Sequence, residues 1–163
     1  MKSLVRLPLM VLLFFKAGMA MGQHSQYLEW RAGLLKDNPK AFGDSLIAET
    51  HMRVASFIPD SLDAENRAVW HEDMGWCHYR KFLRNHRKSE ATEAIQHFKQ
   101  AVWFDPDFSA AYWNAALCYY ALNDCENMAS MLEGYREHTK KRRWDKPQMR
   151  YLHERCHLPV EGI

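Results

Sequence analysis

Beyond its first two dozen residues the chain repeats apolar side chains three and four positions apart, a spacing that gathers them on one face of an α-helix, and strand-type alternation is scarce. The pattern predicts helices over 25–36, 40–57, 62–87, 90–104, 108–122, 125–139 and 148–157. Between them stand residues that stop or cap helices: Asn38 and Pro39, Pro59 and Asp60, Ser89, Asp105 to Asp107, Asn123 and Asp124, and Asp145 and Lys146 ahead of Pro147. Breaks this short turn each helix back against the one before it, which predicts three helical hairpins and a last helix.

One stretch carries more than amphipathic spacing. Ala94, Phe98 and Ala101 share a helical face, and Pro106 five residues on holds Asp105 out of helical geometry and ends the helix. Small alanines admit a second helix closely while Phe98 fills the gap beside it. Tyr112, Ala115, Ala116 and Tyr119 follow on one face of the next helix, with Ala111 and Asn114 alongside. This order of small and bulky residues resembles the tetratricopeptide repeat, whose first helix carries Trp, Leu, Gly and Tyr and whose second carries Ala, Phe and Pro. Tyr112 stands for the Trp, Ala115 for the Leu and Ala116 for the Gly.

Upstream, Met74, Gly75 and His78 match the Leu, Gly and Tyr of an earlier first helix. Trp70 falls one residue early, and the link to Ala94 is about seven residues too long for the pattern. A first helix extended through Arg80 to Lys88 would absorb that excess. Downstream, Met128 and Leu132 take the Ala and Phe places, as in a degenerate terminal repeat. Ala48, Met52, Ala55 and Pro59 approximate a second helix near the N-terminus. The resemblance implies an all-α fold: a right-handed α-solenoid of about three antiparallel hairpins with a C-terminal capping helix. The implied layout is a divergent hairpin over 23–60, repeats over 61–140, and a linker with the capping helix over 141–163.

In that family the first helices of successive repeats line a concave face that receives an extended peptide or a partner's helix. Carried over by position, Glu72, Trp76, Tyr79 and Arg80 belong to one such helix and Trp113, Asn114, Leu117 and Tyr120 to the next. Their rings offer contact area at little cost in side-chain entropy, and Arg80 suits an acidic group or an aromatic face. Asn114 corresponds to an Asn that bonds the ligand backbone in peptide-binding members. The competing reading is that these rings are covered by the N-terminal hairpin or the last helix and are core. Pairing of two copies through exposed helix faces also stays open.

The first residues alter the picture of where the protein works. Lys2 and Arg6 precede an apolar stretch from Leu7 to Phe15, and Ala17, Gly18, Ala20 and Gly22 follow, the layout of a secretory signal peptide over 1–22. Cleavage after Ala20 or after Gly22 fits equally, and no cysteine follows directly to take a lipid. The apolar run falls short of the roughly 20 residues a membrane span needs and Lys16 interrupts it, so export to a periplasmic or extracellular space is the first expectation and an uncleaved anchor the second. Losing Lys2, Arg6 and Lys16 leaves 19 basic against 20 acidic residues, a net charge of −1. That balance argues against nucleic acid as a partner, which requires a concentrated positive field. The one basic run, Lys140 to Arg143, reads as a solvated cluster near a helix C-terminus.

In an exported chain Cys77, Cys118, Cys125 and Cys156 permit disulfides, and Cys118 with Cys125, flanking the turn at Asn123, is the first pair to expect. Buried free thiols are the plainer reading. His153, Cys156 and His157 lie on neighbouring helical turns, and with the doublet Cys77 and His78 they give an alternative: a protein that carries zinc or copper. No paired-cysteine zinc spacing or haem-attachment motif is present, so neither metal nor cofactor is expected. No catalytic residue is expected either. Glu72 and Asp73, the only acid pair near the groove, should point to different sides of their helix.

Overall fold

The computed structural model describes residues 27, 29–43, 46–57, 60 and 62–159; the leader at 1–22, the expected helix start at Ser25 and the break at Pro59 lie outside them. The described residues form helices and turns, with no strand among them. In chain order the helices are α1 (29–37), α2 (Ile47–Ala55), α3 (Ala64–Asn85), α4 (Lys88–Phe104), α5 (Ser109–Ala121), α6 (Cys125–His138) and α7 (Lys146–Arg155), with a 3-10 turn at Lys141–Arg143.

Their ends follow from local chemistry. The side chains of Asp63, Asp124 and Asp145 each accept a backbone N–H three residues on, from Asn66, Asn127 and Gln148, and so open α3, α6 and α7. Pro147 sits in the first turn of α7, where a missing N–H costs nothing. Helix α3 closes on His86, in the left-handed region at φ 54°, with its N–H on the Phe82 carbonyl. It thus runs through Arg80 but stops at Asn85, short of the expected Lys88, where α4 begins.

Helix α2 is shorter than its periodicity predicts. The Asn38 side chain accepts the Lys40 N–H at 3.1 Å, and the N–H groups of Ala41 and Gly43 return to the carbonyls of Asn38 and Lys40 at 2.9 and 2.7 Å. Residues 38–43 therefore wind through turns, and the helix begins only at Ile47.

From α2 to α6 each helix packs on the next, most extensively α3 on α4, and α3 also touches α5. Small residues set the close approaches. A Cβ on Gly75 of α3 would lie 2.6 Å from the Phe98 ring of α4, and one on Gly134 of α6 would run into the Tyr112 ring of α5. Ala94, Ile95, Phe98 and Ala101 of α4 meet Ala111, Ala115 and Cys118 of α5 in one buried cluster. A second joins Ala116 of α5 to Met128, Leu132 and Tyr135 of α6 and to Met149 and Leu152 of α7. A third holds Tyr27, Val54, Leu62, Trp70 and Met74 at the N-terminal end.

The disulfide departs from the sequence expectation. Cys125 pairs with Cys156, tying the start of α6 to the end of α7, and Cys77 and Cys118 are buried free thiols. Cys118 faces the α4–α5 core, so the turn it shares with Cys125 does not bring the two sulfurs together.

Candidate functional site

Three stretches distant in sequence meet around a pocket of about 340 Å³ lined by Arg31, Leu35, Pro39, Phe42, Glu72, Asp73, Trp76 and Asn114. Helix α3 supplies both carboxylates and Trp76, α5 supplies Asn114, and α1 with the turns after it supplies a basic side chain and an apolar wall.

The two acids have opposite circumstances. Asp73 is buried and saturated: it accepts from the Tyr27 hydroxyl and from both Nε and Nη2 of Arg31, the latter at 2.9 Å. Burial, reinforced by the Asp73 charge and hydrogen bond, holds the Tyr27 hydroxyl well above its ordinary range. Burial is the strongest single influence on the Arg31 guanidinium and pulls it down, but the Asp73 hydrogen bond, the Asp73 charge and the nearby Tyr27 and Glu72 together outweigh it and keep the group firmly protonated. Among the described residues Glu72 forms no ion pair of this kind, although the Arg31 charge favours its ionised form. Its Oε1 accepts from Asn114 Nδ2 at 2.7 Å, and Oε2 has no hydrogen-bond donor among the described residues. Burial first, and then the charge of Asp73, push Glu72 up to about 7 against the opposing pull of Arg31 and Asn114.

Glu72 and Asp73 therefore open onto the same pocket, contrary to the expectation that they diverge. Adjacent helical positions are about 100° apart, and the helices on either side of α3 leave room for both to reach it.

The other expected groove residues divide into groups. Trp76 lines the pocket, with the Arg80 guanidinium 5.8 Å and the Tyr79 ring 5.7 Å from its ring. Tyr79 packs against the α4–α5 core, where burial raises its hydroxyl above the usual range. Trp113 turns to the other end of the molecule, 5.0 Å from the Tyr135 ring, in a recess of about 310 Å³ with Ser109, Ala110, Thr139, Arg143 and Asp145. Leu117 and Tyr120 pack against the cluster that includes α7, and the Tyr120 hydroxyl lies 3.4 Å from that of Tyr151. Glu72, Trp76 and Asn114 are thus brought together, while Trp113, Leu117 and Tyr120 are drawn to α6 and α7.

Arg31, Leu35 and Phe42 are the pocket residues that sequence reasoning passes over, and Asp73 enters it only as an acid expected to turn away from Glu72. Asp73 carries a signal: it stands between Trp70 and Cys77 at apolar-face spacing, where a carboxylate demands a partner. The partner lies 42 residues away, beyond any local pattern.

A second cluster is entirely histidine. His51 of α2, His78 and His71 of α3 and His97 of α4 form a row, with centroids 4.9 Å apart from His51 to His78, 5.6 Å from His78 to His97 and 5.2 Å from His97 to His71. The Nδ1 atoms of His71 and His97 approach to 3.0 Å. Lys81 contacts His51 at 2.9 Å and Glu90 holds His78 at 2.7 Å. Burial first, then neighbouring cationic groups or rings, press His51, His71 and His97 down to about 4. No group of three or more ligating residues among the described residues is arranged to hold a metal ion. In the trio suggested by spacing, the Cys156 sulfur is engaged with Cys125 and His153 Nδ1 lies 2.6 Å from the Pro159 carbonyl. Cys77, of the other doublet, is a buried thiol pushed up to about 12 by burial and then by the charge of Asp73.

Compared with protein-family models, with curated proteins and with solved structures, the chain matches none.

Proposed function

We propose that this protein is an extracytoplasmic helical-repeat module that holds a polypeptide partner in the pocket between α1, α3 and α5, and that it works by binding and not by catalysis. The observation that carries this is the character of that pocket: a carboxyl group with one unused oxygen beside the partly exposed ring of Trp76, walled by Leu35, Pro39 and Phe42. Pockets with an apolar lining and few convergent polar groups are the usual places for ligands. The nesting of Phe98 on Gly75, and of Leu132 with Ala116, supports the tetratricopeptide-like reading of the stack. The Cys125–Cys156 bond supports an oxidising compartment, in keeping with the leader-like first residues.

The N-terminal segment narrows the groove. Arg31, Leu35 and Phe42 cover part of the surface that a longer array would leave open, so the pocket admits a side chain or a short extended segment. Cross-linked capture of the protein from its own cells tests the reading. A partner retained by wild type and by Trp103→Ala, and lost from Trp76→Ala shown by circular dichroism to be folded, is the expected result. Equal recovery with all three would overturn it.

A further inference from the structure

Resting on that binding reading, we propose that the pocket recognises a basic side chain, the ammonium of a lysine or the guanidinium of an arginine presented by the partner polypeptide, with Glu72 as its counter-charge. The charges facing the pocket do not balance. Asp73 is matched by Arg31 and by the Tyr27 hydroxyl, whereas among the described residues Glu72 receives a hydrogen bond only from the neutral amide of Asn114. One negative charge is left, at an oxygen that no described residue satisfies. A single cation completes the site.

The surroundings suit a cation on an apolar stem. Arg80 already lies over the Trp76 ring at 5.8 Å, so that ring serves with Leu35, Pro39 and Phe42 as apolar cover for the methylene groups. An acidic side chain would add a third carboxylate to a partly desolvated site. A purely apolar one would leave the Glu72 oxygen buried and unpaired.

Binding is linked to a proton. Near neutral pH Glu72 is divided between its protonated and ionised forms, because burial and Asp73 disfavour its charge. An arriving cation favours the carboxylate and expels the proton to solvent. Only the ionised fraction binds well, so affinity should tighten about tenfold between pH 6 and pH 8.

The test uses the pentapeptide Ala-Ala-Xaa-Ala-Ala with Xaa lysine, arginine, acetyl-lysine or glutamate, titrated into the nitrogen-15-labelled protein. The Trp76 indole N–H and the Asn114 side-chain amide are the reporters. Lysine or arginine should bind at least tenfold tighter than acetyl-lysine and glutamate at pH 8, with the tenfold pH dependence, and Glu72→Gln should abolish both effects. Equal binding of lysine and acetyl-lysine overturns the proposal without any substitution, and so does an unchanged lysine affinity in Glu72→Gln. If all four peptides perturb the pocket alike, the binding reading stands and the cation preference falls. If none does, the cation proposal falls, and capture of the partner separately decides whether the pocket binds at all.

Discussion

Glu72 and the histidine row make stability depend on pH with opposite signs. A carboxyl raised to about 7 in the folded state binds a proton that the unfolded chain has already released, so its contribution is present below the unfolded value of 4.5 and is lost as pH rises through 7. Glu72→Gln should therefore stabilise the protein at pH 8 by about 1–3 kcal/mol in urea unfolding and do nothing at pH 4, while weakening partner binding. A residue whose replacement improves stability and harms binding is one kept for its function. The neutral imidazoles of His51, His71 and His97 behave oppositely, since the folded state resists their protonation. Their contribution is present above 6.5 and lost as pH falls toward 4. The urea midpoint should drop over that window, and His97→Asn should flatten the drop. Glycines give a third reading at this scale. Gly75→Ala drives a Cβ into the Phe98 ring and should cost about 1–3 kcal/mol, whereas Gly33→Ala, with nothing within 4 Å, should be neutral or stabilising by up to about 1 kcal/mol.

Among elements, α7 is held by two different devices. Met149 and Leu152 enter the cluster formed with α5 and α6, and Cys156 bonds to Cys125 across 31 residues of sequence. Closing a loop of that length restricts the unfolded chain by about 3–4 kcal/mol on the chain-entropy account. Reduction should accordingly speed hydrogen exchange across residues 146–155 and leave α3 and α4 protected; uniform loss of protection would show that the bond supports the whole stack. The helices were readable in the sequence wherever apolar spacing and caps agreed, as at Asp124 and Asp145. They were misread at 40–43, where the Asn38 turn overrides the periodicity. The pairing of cysteines was not readable, because nearness in sequence does not tell which face of α5 carries Cys118.

For the molecule as a whole, the chemistry of the pocket depends on the meeting of α1, α3 and α5. The tetratricopeptide resemblance implied that Glu72, Trp76 and Asn114 share one face, and these three line one pocket. It could not place Arg31 and Phe42 opposite them, since that contact is made across 30 or more residues and belongs to tertiary packing alone. Nor could it see that Trp113 and Tyr120 face α6 and α7. The most direct test of the pocket as the partner site is a photo-reactive amino acid placed at Trp76 or, as a control, at the exposed Trp103, with irradiation in the native cells. The account predicts a discrete adduct with another polypeptide from position 76, its attachment points mapping beside lysine or arginine, and none from position 103. Identical adducts from both positions, or no adduct from 76, would contradict it.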